Sequence, residues 1–384
     1  MEIKKQYIIS QDGLFGKEII LTPKYLGRLF GPELEYFTVQ KKNGLLIPVD
    51  ITSKFEKSKY FMEPSKNQKE TDLKIWMKPE LTGEQIELNS SPENSISSLE
   101  TNLNKILNEV LNIASDNDVS LLPAALYPLN HQFSIFPYER YHSLIKIIGP
   151  HMKKNAPRVT SDQVNVGGIN EEDSFKVFNF LRQVLPFYVG FSVASPYVNE
   201  EKGEDLSERI RIYNNTLQRF PELSGMPPQI NSMKEYVSEL EQAPIIQHPN
   251  IYYKFIRPMP QRGVAAEIRV IDKQPTIKEH LSFIALTKGL LNNSSEFVPQ
   301  QFMVRDFYRA VKEGIFDKNK FKHVLDVAEK GLQKEEKHYL KPLKRRLEHG
   351  TVAEKLISIV EEGATISEAY STLCDATESG KSYI

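Results

Sequence analysis

Four short segments of this chain place carboxylates or amides on alternate residues, and that period of two constrains the fold more than any other feature. They are Gly31-Pro32-Glu33-Leu34-Glu35-Tyr36-Phe37, Gln85-Ile86-Glu87-Leu88-Asn89, Asp162-Gln163-Val164-Asn165-Val166-Gly167 and Ala266-Glu267-Ile268-Arg269-Val270-Ile271-Asp272. In a β-strand successive side chains point to opposite faces. Glu33 therefore shares a face with Glu35, Gln85 with Glu87 and Asn89, Gln163 with Asn165, and Glu267 with Arg269. The opposite faces carry Leu34, Ile86, Leu88, Val164, Val166, Ile268 and Val270, which can pack on a core. The pattern predicts a sheet with one oily face and one face of ligand atoms. Carboxylates gathered on one face repel each other unless a cation neutralises them, and hard oxygen ligands suit Mg²⁺ or Mn²⁺ rather than zinc.

Composition removes other classes. The formal net charge of -1 over 384 residues gives no bulk attraction to nucleic acid or to an anionic membrane. The single cysteine, Cys374, excludes an internal disulfide and any cysteine-built zinc or iron–sulfur site. No apolar run approaches the ~20 residues of a membrane span, and the N-terminus lacks the apolar core of a signal peptide. The expectation is a cytoplasmic protein acting on small molecules, with no nucleic acid and no membrane. No GxGxxG opens a helix and no GxxxxGK[ST] occurs, so neither of those nucleotide fingerprints is present.

Along the chain, strands are expected over 17–21, 28–39, 84–90, 119–126 and 161–168, and a hairpin over 251–256 and 264–272. Proline cannot donate to a ladder, so Ser91-Pro92 should stop its strand, and Pro32 should mark a strand start or a bulge. Residues 52–74 are charged and aperiodic and are expected to form a surface insertion or mobile loop. Apolar residues at helical spacing predict helices over 96–111, opened by a capping box Ser97-Ser98-Leu99-Glu100, over 138–148, and over 175–185, broken near Pro186. After Pro275 only helical spacing remains, over 277–291, 304–312, 321–332, 335–349, 353–362 and 367–377. That order argues for α+β. It divides the chain into a sheet part, 1–275, and a helical part, 276–384, packed on it or forming one single domain with it.

The motifs resemble the second family of glutamate–cysteine ligases, which also holds carboxylate–amine ligases. Besides Gly31–Phe37 and Gln85–Pro92, the matching residues are Gln163-Val164-Asn165-Val166, Ala194-Ser195-Pro196-Tyr197, Ser207-Glu208-Arg209, Arg257-Pro258 and Glu267–Asp272, in the family's order. Gln163-Val164-Asn165 is similar to the plant-type branch, where other branches carry His-Val-His. The resemblance implies a fold of glutamine-synthetase type: an antiparallel sheet curled into a funnel, helices behind it, and a helical C-terminal part. It implies ATP- and Mg²⁺-dependent amide formation through an acyl phosphate, with glutamate as the acid and cysteine or another amine as the acceptor, as in glutathione biosynthesis. A homodimer is compatible with it.

Glutamates on neighbouring strands would hold metal ions that bridge ATP to the protein, and the candidate ligands are Glu33, Glu35, Glu87 and Glu267. A planar guanidinium fits a phosphoryl group or a carboxylate in a bidentate manner. Arg269 beside Glu267 is the candidate for phosphate, with Glu87 as its partner on the nucleotide side. Arg209 and Arg257 are candidates for the γ-phosphate and the substrate carboxylate, and Arg211 and Arg262 can add charge for a dianion. Gln163 and Asn165 offer neutral amides to the amino-acid substrate. The polar loop 199–208, which contains Gly203, is expected to order over the site. His131 and His142 read as structural rather than as ligands. Two other classes fit the same carboxylate face: a metal-dependent phosphotransferase or hydrolase, which needs no amine, and a non-catalytic nucleotide-binding regulator.

Overall fold

The computed structural model describes residues 4–7, 17–20, 24–63, 73–217, 220–241, 252–296 and 304–384. Strands β1 (Lys4–Tyr7) and β2 (Lys17–Ile20) pair antiparallel with each other. The alternating segments become the main sheet. Its strands are β3 (Phe30–Lys42), β4 (Leu45–Pro48), β5 (Ile75–Pro79), β6 (Gln85–Ser90), β7 (Ser120–Leu122) and β8 (Ser161–Gly167). A short hairpin, β9 (Tyr197–Val198) with β10 (Glu201–Lys202), stands apart; β11 (Ile256–Met259) and β12 (Val264–Asp272) complete the main sheet. The eight strands run in the order β11-β12-β8-β3-β6-β5, with β4 and β7 pairing β3 off that path, and every pairing is antiparallel. Asn43-Gly44, both at positive φ, makes the tight turn from β3 to β4. Pro32 lies inside β3 and not at a strand start, but pairing with β6 begins only at Glu33. The insertion expected over 52–74 opens with the short helix α1 (Thr52–Phe55), whose Phe55 is buried; residues 64–72 lie outside the described residues.

The oily face is covered by α2 (Ile96–Ser115), α5 (Glu171–Ser192) and α8 (Ile277–Asn292). Leu34, Ile86, Val164 and Ile268 of the sheet share one buried cluster with Leu103, Phe178, Leu181 and Ile284 of these helices. The C-terminal helices are α9 (Val304–Glu313), α10 (Lys318–Gly331), α11 (Lys341–His349), α12 (Val352–Glu361) and α13 (Ile366–Ser379). Thr276/Glu279, Thr351/Glu354 and Thr365/Glu368 close reciprocal capping boxes on α8, α12 and α13. The box expected at Ser97 does not form: Ser95 caps α2, accepting from the Ser98 backbone N–H. The helix expected to break near Pro186 continues to Ser192. Proline costs a helix interior roughly 3 kcal/mol, and burial of Leu181, Leu185, Tyr188, Val189 and Phe191 on both sides of it outweighs that. Residues Lys334–Leu340 are 3₁₀-helical before α11, so the helix expected over 335–349 is shorter. No helix among the described residues is long and apolar enough to cross a membrane.

Strands β4 and β5 were not expected, and two features of the sheet faces were not anticipated either. The ligand face is polar over only part of its area. Beyond Glu35 it continues as Phe37 and Val39, which α12 and α13 cover with Leu356, Leu373 and Cys374. Behind the polar part, Asp162 points to the helical side and is fully buried. Lys273 Nζ stands 2.7 Å and His280 Nδ1 3.3 Å from its carboxylate, and the Gln274 backbone N–H donates to it at 3.2 Å. Removing one partner of such a pair leaves an uncompensated buried charge, which costs roughly 3–5 kcal/mol. Lys273→Met is expected to lose about that much stability in urea unfolding; a loss under about 1 kcal/mol would show that His280 and the backbone compensate Asp162 without the lysine.

Candidate active site

Register fixes which side chains face one another. Across the polar face, Arg257, Glu267, Asn165 and Gly31 form one row. Gln163, Glu33, Asn89 and Trp76 form the next, and Glu35, Glu87 and Lys78 the third. Every residue that sequence reading placed on the ligand face is on it, Glu33 and Glu267 included.

Each acidic group meets a donor from the neighbouring strand. Asn165 Nδ2 donates to Glu33 at 2.9 Å, and Gln163 Nε2 donates to Glu35 at 2.9 Å. The Ser161 backbone N–H adds a bond to the other Glu35 oxygen at 2.7 Å. Asn89 Nδ2 and Lys78 Nζ both reach Glu87 Oε1, at 2.6 and 2.9 Å. Gln163 and Asn165, expected to hold substrate, thus spend their amide N–H groups orienting carboxylates. Glu267 differs from the others. Both its oxygens accept from Arg257, and Arg269 Nη1 donates to one of them at 2.8 Å and to Gln163 Oε1 at 2.9 Å.

Sequence reading missed Glu80. It follows β5 in the turn to β6, where no strand period flags it. Glu35, Glu80 and Glu87 bring one oxygen each within 4.8 Å of one another. The electrostatics of the group are those of crowded like charges. Burial, then Glu87 and Glu267, push the Glu33 carboxyl up to about 7. Burial and Glu87 raise Glu35, and burial and Glu87 raise Glu80 well above the ordinary range. Burial works to raise Glu87 as well, but Lys78 and hydrogen bonds from Glu80, Lys78 and Asn89 hold it below the ordinary value. Burial also works against Glu267, and Arg257 and Arg269 overcome it to bring the group down to about 2. Glu33, Glu35, Glu80 and Glu87 offer only hard oxygen donors, and in the absence of a cation three of them hold their protons to raised pH. That donor set fits Mg²⁺ or Mn²⁺.

The arginines occupy one flank. Arg209 opens α6 (Glu208–Thr216) and is buried. It donates to the Arg269 carbonyl at 2.8 Å and lies 3.6 Å from Asp272. Its Nε and Nη1 are buried without a hydrogen-bond acceptor, as is Arg269 Nε. Asp272 collects the Ala194 backbone N–H and the hydroxyls of Ser195 and Ser207. The Ser-Pro and Ser-x-Arg motifs therefore meet at Asp272 and set Arg209 in place. Arg269 lies 6.0 Å from the Tyr253 ring centre. Arg211 instead pairs with Glu208, and Arg262 is exposed at the β11–β12 turn.

His131 packs on Phe133 and Tyr127 and faces Glu84, and His142 is exposed on α3 (Glu139–Ile148), so neither joins the site. The remaining helices are α4 (Pro150–Asn155) and α7 (Met233–Glu241). The loop 199–208, expected to order on binding, is already folded. Asn199 and Glu200 turn at positive φ, the Glu200 N–H bonds the Pro128 carbonyl, and buried Glu208 accepts from the Glu204 and Asp205 N–H groups.

Compared with known proteins, residues 29–372 match glutamate-cysteine ligase family 2. An uncharacterized protein of Archaeoglobus fulgidus is 25% identical over 291 residues, which cover 71% of this chain and 78% of the relative. A protein of Legionella pneumophila (strain Corby) named "Putative glutamate--cysteine ligase 2-1" is 25% identical over 265 residues, 68% of this chain and 64% of that one. Among solved structures, glutamate–cysteine ligase from Francisella tularensis in complex with AMP has a TM-score of 0.64 at 15% identity, covering 92% of this chain and 89% of that one. A bifunctional glutathione synthetase from Pasteurella multocida has a TM-score of 0.66 at 14% identity, over 92% of this chain and 52% of that one. At these identities the structural likeness shows the fold.

The raised Glu33 carboxyl has a sign that stability measurements can read. Between its ordinary value of 4.5 and about 7 the folded chain holds a proton that the unfolded chain has released. This group's contribution is full below the lower value and is lost as pH rises through the upper one. Glu33→Gln mimics the protonated form, so the metal-free variant is expected to gain Tm over wild type at pH 8 and not at pH 4. Equal Tm differences at both pH values would show that Glu33 does not titrate high.

Proposed function

The chain belongs to glutamate-cysteine ligase family 2, and on that premise we propose that it is an ATP- and Mg²⁺-dependent ligase joining a carboxylate to an amine. The observation that carries this reading is the pairing of the Glu35, Glu80 and Glu87 group, with Glu33 beside it on the sheet face, with buried guanidinium groups whose donors are not all used. A site built to receive a metal–triphosphate needs both halves.

Glu33, Glu35, Glu80 and Glu87 would hold Mg²⁺, which when bound supplies charge neutralisation on the phosphate oxygens. Asn165, Gln163 and Ser161 fix the aim of Glu33 and Glu35. Glu267, named above as a ligand, is better read as the anchor that aims Arg257 and Arg269. Arg209 and Arg269 offer unused N–H donors to the transferring phosphoryl group, where stabilisation of developing charge counts most. In this chemistry an oxygen of the substrate carboxylate attacks the γ-phosphorus and ADP leaves. The amine nitrogen then attacks the acyl carbon, its proton is lost, and inorganic phosphate leaves. We take glutamate as the acid, with cysteine ranked first as the amine, another α-amino acid second and a non-amino-acid amine third. With the first pair the product is γ-glutamylcysteine, a glutathione precursor.

ADP release screened over amino-acid pairs, with product mass measured, tests the proposal. Release that requires both an acid and an amine supports the ligase; release without an amine points to a hydrolase, and nucleotide binding without turnover to a regulator. Glu87→Gln is expected to cut turnover about 100-fold or more at an unchanged far-ultraviolet circular dichroism spectrum. Arg269→Lys should lose nearly as much, because Nη1 alone makes the bonds to Glu267 and Gln163, and an ammonium that kept them would lack the remaining guanidinium nitrogens, among them the unused Nε. Near wild-type rates in either variant would remove that residue from the machinery.

A further inference from the structure

Lys78 sits where a cation is wanted. It lies on β5, directly across from Glu87, and its ammonium is 2.9 Å from Glu87 Oε1. Asn89 Nδ2 reaches the same oxygen at 2.6 Å, so that atom is fully engaged. The arginines pair elsewhere: Arg257 and Arg269 hold Glu267, and Arg209 holds Asp272. On the side of Glu35, Glu80 and Glu87, Lys78 is the basic group in ion-pair contact among the described residues. An ammonium carries one positive charge on a flexible stem, and it is a point donor that can be exchanged. β5 is the last strand of the sheet path, and the Lys78 side chain is 30% exposed while that of Glu87 is 3% exposed. The Lys78 side chain is therefore partly open to solvent, whereas the Glu87 carboxylate is closed off.

We propose that Lys78 is the resident counter-ion of the carboxylate cluster: it holds Glu87 while the cluster lacks a divalent cation, and entry of the metal displaces it outward to the phosphate oxygens of the nucleotide. The first half concerns metal alone; the second rests on the ligase reading above. Exchange of this kind keeps the buried carboxylates compensated at each stage, since neither arrangement leaves Glu87 without a cation. It also gives opposite signs for two bindings, which a lysine of merely structural importance would not.

Calorimetric titration of Mn²⁺ alone, and of ADP at saturating Mn²⁺, into wild type, Lys78→Met and Lys78→Arg tests it. Lys78→Met is expected to bind Mn²⁺ about tenfold more tightly than wild type, because the metal no longer competes with a tethered charge. The same variant should bind ADP about tenfold more weakly. Lys78→Arg keeps the charge and should hold Mn²⁺ within about threefold of wild type. Mn²⁺ affinity that is unchanged or weaker in Lys78→Met overturns the counter-ion role, and unchanged ADP affinity overturns the outward swing. If wild type and both variants bind no Mn²⁺, the metal assignment of the preceding section falls, and this proposal with it.

Discussion

Repulsion among carboxylates held in one partly buried patch is the constraint around which the rest of this structure is arranged. Two like charges a few ångströms apart interact far more strongly beside a protein core than in water. The chain meets that cost by placing donors beside each acid: from the adjacent strand Asn165 for Glu33, Gln163 and Ser161 for Glu35, Lys78 for Glu87 and Arg257 for Glu267, and from two residues along the same strand Asn89 for Glu87 and Arg269 for Glu267. The donors to Glu33 and Glu35 reach because β8 lies beside β3 in antiparallel register, Lys78 because β5 lies beside β6, and Arg257 because β11 lies beside β12. The strand order and the electrostatics are thus one requirement.

The same logic extends through the sheet. Asp162 stands between Ser161 and Gln163, which face Glu35, and itself points to the helices. Its partners Lys273 and Gln274 follow directly on β12, and His280 comes from α8. The buried ion pair ties the end of one site strand to the next where their ladder is interrupted between Ile268 and Ile271. The net contribution of such a pair to stability is small, because the desolvation of its two charges offsets their attraction. Asp272 does similar work on the neighbouring face, drawing Ser195, Ser207 and Arg209 together.

How much of this was legible in the sequence follows from how local each signal is. The four strands with alternating polar faces were, because a period of two needs no knowledge of partners; β4 and β5, where no strand was expected, were not. The α+β order and most helices were too, because apolar spacing is local. Glu80 was not, since its position in a turn carries no period and its role arises only when β5 folds beside β6. The assignment of Glu267 as an anchor depends on Arg257, ten residues away and opposite it only through the hairpin register. Helix α7 had its signal in Met233, Tyr236, Val237 and Leu240, spaced for one helical face and passed over. The continuation of α5 through Pro186 was decided by tertiary burial, which no local pattern reports. The loop 199–208 reads as mobile from its polarity, yet Glu208 is fully buried and its carboxylate gathers the backbone around it.

The outermost strands of the sheet have a bearing on how copies of the chain can meet. The path ends in β11 and β5, and each carries a proline, Pro258 and Pro79; β4, which pairs only β3, ends at Pro48. A proline at a rim removes a backbone donor that a foreign strand would need, and at β5 the outward Met77 groups are in addition already taken by Tyr60 and Met62. Edge-to-edge stacking of two sheets, the route by which exposed strands seed fibrils, is therefore discouraged at each of these rims. Association through the helical surfaces keeps no such barrier, and a chain that buries so much of its charge in one sheet has reason to keep that sheet from being extended.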